Sequence, residues 1–130
     1  MDNSFWYVLL IDDETDVLLV IGDFLRHHGF SVLTAQNSGH ALKQLDENKV
    51  RLIILDINLA GEDGVRLLPF IRLNYPAVPV VLYTGLAHDD IQVKTMLAKG
   101  ATCYVNKGQP TSELLFAIRE IRGEITKPPS

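Results

Sequence analysis

The chain is predicted to fold as an α/β sandwich around a parallel five-stranded sheet. Short apolar runs recur five times, each followed by a segment whose apolar residues fall at helical spacing. The runs are continuous rather than alternating, as in Leu52-Ile-Ile-Leu55, which fits strands buried on both faces. A length of 130 residues, with 47% apolar and 22% charged, gives one globular domain able to bury a sizeable core.

The first strand is the run Trp6 to Ile11, which ends in Asp12-Asp13-Glu14. From Thr15 the spacing becomes helical: Val17, Val20/Ile21, Phe24 and Leu25 share a stripe, and Gly29 supplies the stop. Ser31 to Ala35 reads as the second strand. Asn37-Ser38 opens a second helix with Ala41, Leu42 and Leu45 inward. Leu52 to Leu55 is the third strand, running straight into Asp56 and a Gly/Asp-rich stretch. A third helix covers Val65 to Leu73 and is closed by Asn74-Tyr75-Pro76. Val78 to Tyr83 is the fourth strand, ending at Thr84-Gly85, and a fourth helix starts at Asp89-Asp90 and stops at Gly100. Cys103 to Asn106 is the fifth strand, followed at once by Lys107-Gly108. Thr111 to Arg122 forms the last helix, with Leu114, Leu115, Ile118 and Ile121 inward. Residues 1–123 form the domain, and 124–130, with Pro128-Pro129, read as a flexible tail or the start of a linker.

Composition excludes several classes. A net charge of −4 with twelve scattered basic residues offers no surface for direct nucleic-acid binding. No apolar run approaches the roughly 20 residues of a membrane span, and Met1-Asp2-Asn3-Ser4 lacks the basic start of a signal peptide. The single Cys103 leaves no internal disulfide and suits a reducing cytoplasm; its strand position marks it as a small core residue. His27-His28 suit a helix C-terminus, His40 and His88 lack metal-ligand spacing, and Phe5-Trp6-Tyr7 reads as packing.

The chemistry lies at the strand ends. In doubly wound sheets the site falls outside the carboxyl ends of the strands, where strand order reverses. In the flavodoxin-like (βα)5 order 2-1-3-4-5 that point lies between strands one and three, the two that end in Asp12/Asp13 and Asp56. Strand four ends in Thr84 and strand five is followed by Lys107. Taken singly, the acids could be helix-terminal charges, Thr84 a turn hydroxyl and Lys107 a solvated end. Jointly, at neighbouring strand ends, they fit one chemistry. Crowded carboxylates repel unless a cation intervenes, and Mg²⁺ is the hard, oxygen-seeking ion that suits them. Asp56 could then act as an ionised nucleophile towards phosphorus, with Lys107 and Thr84 directed at the phosphoryl oxygens.

These motifs resemble the receiver domains of two-component response regulators over about Tyr7 to Ile121. The acidic pair matches Asp12-Asp13, the phosphoacceptor Asp56, the threonine of the motif Thr84 and its lysine Lys107. The resemblance implies that the Asn58 backbone carbonyl is a further Mg²⁺ ligand beside Asp12, Asp13 and Asp56. It implies that Tyr104 is the aromatic switch that turns inward as Thr84 is drawn to phosphate, repacking the face of the fourth helix, fifth strand and fifth helix. The phosphoryl donor would be a histidine kinase or histidine phosphotransfer protein, and the receiver of the signal a downstream output domain or protein. Such a domain is a phosphoacceptor with slow autodephosphorylation, not an enzyme.

Three departures stand out. Leu59-Ala60 replace the usual Met-Pro, removing a proline and some rigidity. Gly108 replaces the usual proline after the lysine, where a cis bond would cost about 2.5–4 kcal/mol, so the Lys107 loop is expected to be trans or strained. Leu86 stands two residues after Thr84, beside the expected phosphate.

Two other functions compete. A haloacid-dehalogenase-like hydrolase also uses a strand-end Asp, but would need an acid where Asn58 stands and a nucleophile after the first strand. A phosphorylation-independent interaction module is the other alternative, and the complete set Asp12, Asp13, Asp56, Thr84 and Lys107 argues against it. Residues beyond Gly123 are too few to fold, so the chain is expected to be a stand-alone receiver or one cut from a larger regulator or hybrid kinase. Homodimerisation through the last two helices is compatible with their pattern without being demanded by it. By excluding water, Leu86 is expected to slow hydrolysis of an aspartyl phosphate; Leu86→Glu should shorten the phosphoryl half-life, and an unchanged decay would contradict that role.

Overall fold

The computed structural model describes residues 7–59, 62–85 and 90–123. Trp6, Leu86, Asp89 and the 124–130 tail lie outside the described residues, and with them the expectations placed there. The chain runs β1 (Tyr7–Ile11), α1 (Thr15–His27), β2 (Ser31–Ala35), α2 (Ser38–Glu47) and β3 (Val50–Leu55). A hairpin of two-residue strands follows, β4 (Asn58–Leu59) and β5 (Glu62–Asp63). Then come α3 (Gly64–Asn74), β6 (Val80–Thr84), α4 (Asp90–Ala98), β7 (Cys103–Asn106) and α5 (Thr111–Ile121). The main sheet is parallel throughout, in the order β2-β1-β3-β6-β7. Counted without the hairpin, this is the expected order 2-1-3-4-5.

Consecutive strand residues point to opposite faces, so the sheet feeds two cores. On one face Leu9, Ile11, Ile53, Leu55 and Leu82 pack with residues of α2, α3 and α4, including Leu45, Leu68, Ile71 and Met96. On the other, Val8, Leu10, Leu52, Ile54 and Val81 pack with α1 and α5 through Leu18, Ile21, Leu25, Leu114 and Ile118. That division explains why the strands read as unbroken apolar runs. No helix of the described residues is long and apolar enough to cross a membrane.

Where the observed bounds differ from the expected ones, local chemistry gives the reason. β3 starts two residues early because Val50 already pairs with Tyr7; the register then shifts past exposed Arg51, which interrupts the apolar run, to pair Val8 with Leu52. β6 begins at Val80 rather than Val78: Pro79 accepts a bond from the Ile53 N–H (3.0 Å) but has no N–H to donate. The β4–β5 hairpin was not anticipated, since two-residue strands carry no periodicity. At α2, Asn37 caps the helix as expected, its Oδ1 accepting from the His40 N–H at 2.8 Å.

Gly100 closes α4 in a left-handed conformation, φ +113°. A side chain there would also meet Arg72, whose Cδ lies 2.7 Å from the position a Cβ would take. Arg72 crosses from α3 beneath this turn and donates to the Val78 carbonyl, so one glycine lets α3 and the α4–β7 connection close on each other.

Candidate functional site

The sheet ladder places the site residues directly. The Asp56 N–H donates to the Ile11 carbonyl at 3.0 Å, the Asp12 N–H to the Ala35 carbonyl at 3.0 Å, and the Lys107 N–H to the Thr84 carbonyl at 3.0 Å. Each of these residues follows the last residue of its strand, yet its backbone is still pinned by a neighbouring strand. Thr84 ends β6 and stands opposite Asn106 of β7. Four side chains are thus delivered to the carboxyl edge by register rather than by loop conformation.

Asp12 and Asp56 are 1% and 5% exposed, and with half-buried Asp13 they bring one carboxylate oxygen each to within 4.8 Å of one another. Such crowding needs a cation. Lys107 supplies one: Nζ lies 2.6 Å from Asp12 Oδ2, 2.9 Å from Asp56 Oδ2 and 3.4 Å from Glu14 Oε1. Burial pushes the Asp12 carboxyl up, and the bonds from Lys107 and the Glu14 N–H only partly offset this. Burial alone would lower Lys107, but its hydrogen bonds to Asp12 and Asp56 outweigh that and hold the ammonium well above its ordinary value.

Asn58 approaches through its backbone, its N–H donating to Asp56 Oδ1 at 3.1 Å. The pairing of Asn58 with Asp63 in the hairpin fixes that N–H. The Asp56 carboxylate is therefore held at one oxygen by Asn58 and at the other by Lys107. Above it opens a cavity of about 340 Å³ lined by Asp13, Glu14, Asp56, Asn58, Thr84 and Lys107. Thr84 is 1% exposed, and among the described residues its Oγ1 has no hydrogen-bond partner. An unpaired buried hydroxyl costs about 1–3 kcal/mol, which makes it a donor in want of an acceptor.

The structure brings Asp12, Asp13, Asp56, Asn58, Thr84 and Lys107 together and leaves Tyr104 apart. Tyr104 pairs with Leu82, half-buried against the α2–α4 core, and lines a separate cavity of about 310 Å³ beside α5. By strand alternation it shares a sheet face with Thr84 and Asn106. Glu14 was not among the expected site residues, although the acidic run Asp12-Asp13-Glu14 contained it. Gly108 resolves the alternative left open for the lysine loop: no peptide bond among the described residues is cis.

Residues 8–119 match the response regulator receiver domain family. The chain belongs to that family. It is 37% identical over 123 residues to a putative NtrX-like response regulator of Rickettsia bellii, covering 92% of this chain and 25% of the relative. Among solved structures it is similar to a CheY-like response regulator receiver domain protein from Methanospirillum hungatei, with TM-score 0.85, 27% identity and coverage of 93% and 96% of the two chains. A response regulator from Thermotoga maritima, in complex with Mg²⁺ and BeF, aligns with TM-score 0.77 and 26% identity over 88% and 97%. The chain is a receiver domain of two-component signalling type, and it spans about a quarter of the length of the NtrX-like relative.

The two raised pKa values act in the same direction with pH. Lys107 stabilises the fold fully below its ordinary value of 10.5, and that contribution is lost as the pH rises past it. Asp12, raised from 3.8, binds its proton more tightly in the native state, so ionising it costs stability as the pH climbs from that value. In metal-free buffer Lys107→Met should lower the unfolding free energy by about 3 kcal/mol at pH 7, because it strands two buried carboxylates. Urea melts across pH should show that gap narrowing above pH 10.5 and towards the protonation of Asp12. A gap independent of pH would contradict the assignment.

Proposed function

We propose that the domain accepts a phosphoryl group on Asp56, donated by the histidine of a kinase or phosphotransfer protein, and relays the change to an output domain or protein. The observation that carries this reading is the pairing of Asp56 with Lys107 at 2.9 Å beside the unpartnered hydroxyl of Thr84, at one mouth of the sheet. An Asp56 carboxylate oxygen would bond to phosphorus as the bond from phosphorus to the donor nitrogen breaks. Lys107 and Thr84 would each donate to a phosphoryl oxygen, as phosphoryl transfer requires.

The donor set fits a divalent hard cation: three carboxylates with oxygens within 4.8 Å, and the Asn58 backbone alongside. Mg²⁺ held by Asp12, Asp13, Asp56 and the Asn58 carbonyl would neutralise charge on the phosphoryl oxygens. The Mg²⁺–BeF complex of the Thermotoga maritima relative supports this choice of ion. Lys107 already bonds Asp12 and Asp56, so it competes with the ion for those oxygens. Phosphorylation adds a charge of about −1.5 to −2. Thr84 would be drawn to it, and Tyr104, on the same sheet face, would take up the space released. The result is a population shift of the α4–β7–α5 face, not a new fold. Action in the cytoplasm, and pairing of two copies through that face, belong to the same proposal.

Intact mass after incubation with acetyl phosphate and Mg²⁺ tests the acceptor. Wild type should gain one phosphoryl group and Asp56→Ala none; no gain in wild type would favour the phosphorylation-independent interaction module. Lys107→Met should bind Mg²⁺ about tenfold more tightly by calorimetry, since it removes a competing like charge. Unchanged or weaker binding would contradict the competition.

A further inference from the structure

The lysine loop is held by a side chain that the acceptor chemistry does not use. Lys107 leaves the sheet between two residues that bond to each other: the Gly108 N–H donates to Asn106 Oδ1 at 2.6 Å. The Gln109 N–H donates to the Asn106 backbone carbonyl at 3.0 Å, so one asparagine closes the turn through both of its oxygens. On the other side the Lys107 N–H is tied to the Thr84 carbonyl at 3.0 Å, and Asn106 itself stands opposite Thr84 in the ladder. The Lys107 backbone is therefore clamped from β6 before it and from the Asn106 turn after it.

Residue 108 matters for two reasons, neither of them a positive φ. It must carry an N–H, which proline lacks. It also packs most easily without a side chain: a Cβ would sit 3.1 Å from Asn106 Oδ1, so the asparagine would have to give by a few tenths of an ångström. Glycine meets both conditions.

We infer that Asn106 is a positioning residue for Lys107: its bond to the Gly108 N–H aims the ammonium between Asp12 and Asp56. A four-carbon side chain carries large rotamer freedom, and its aim depends on a fixed root. Losing that root leaves the charge in the site but spreads its position. This inference rests on the phosphoacceptor reading for its rate effect, but not for its effect on Lys107 order.

Two measurements separate the claims. Asn106→Ala should lower the rate of phosphorylation by acetyl phosphate with Mg²⁺ by about tenfold, the scale of one hydrogen bond. Asn106→Asp keeps the accepting oxygen and should keep most of the rate. In a Gly108→Pro background, which has no donor, Asn106→Ala should cost nothing further. Independently, the order parameter of the Lys107 ε-methylene, measured by NMR in metal-free protein, should fall in Asn106→Ala and hold in Asn106→Asp. An unchanged order parameter in Asn106→Ala, or an equal loss of rate in the Gly108→Pro background, would overturn the inference. If wild type takes up no phosphoryl group, the phosphoacceptor reading fails while the order parameter still decides the role of Asn106.

Discussion

The parallel ladder is the constraint on which the rest of this molecule depends. Asp12, Asp56 and Lys107 each follow the last residue of a strand, and each donates its backbone N–H to a neighbouring strand at 3.0 Å. A shift of one residue in any of these pairings would turn the functional side chain to the other face of the sheet. The two buried cores therefore fix the site as well as the fold. Leu9, Ile11, Ile53 and Leu55 pack one face while Leu10, Leu52 and Ile54 pack the other, and that division sets the register. Position at the edge follows from burial several residues upstream.

The site that results works against stability. Three carboxylates gather where two of them are nearly inaccessible to water, and a buried hydroxyl goes without a partner. Lys107 offsets part of this by bonding Asp12 and Asp56 together, with Glu14 at the rim. The same ammonium is thus a structural tie in the protein without an ion and a candidate ligand for phosphoryl oxygen in the acceptor. Concentrated like charge and unsatisfied donors are expected where a fold trades stability for function.

Much of this was legible in the sequence because strand period and strand ends carry separate signals. Unbroken apolar runs gave the parallel sheet, and the residue after each run gave the chemistry: Asp12, Asp56, Thr84 and Lys107. The receiver resemblance added Asn58 and Tyr104, which spacing alone does not single out. What escaped was decided by contacts rather than pattern. The β4–β5 hairpin is too short for periodicity, although it holds the Asn58 N–H against Asp56. Glu14 joined the site because Lys107 leans towards it across 93 residues of chain. The Asn106–Gly108 bond depends on a side-chain rotamer that no sequence spacing encodes.

The most direct measurement is a crystal structure of the domain with Mg²⁺ and beryllium fluoride, an aspartyl-phosphate mimic. The expected result is beryllium bonded to an Asp56 carboxylate oxygen, Thr84 Oγ1 and Lys107 Nζ each within hydrogen-bond distance of a fluorine, and Lys107 withdrawn from Asp12 in favour of the metal. No beryllium fluoride on Asp56, or Lys107 still paired with Asp12 and Thr84 unmoved, would contradict the phosphoacceptor reading.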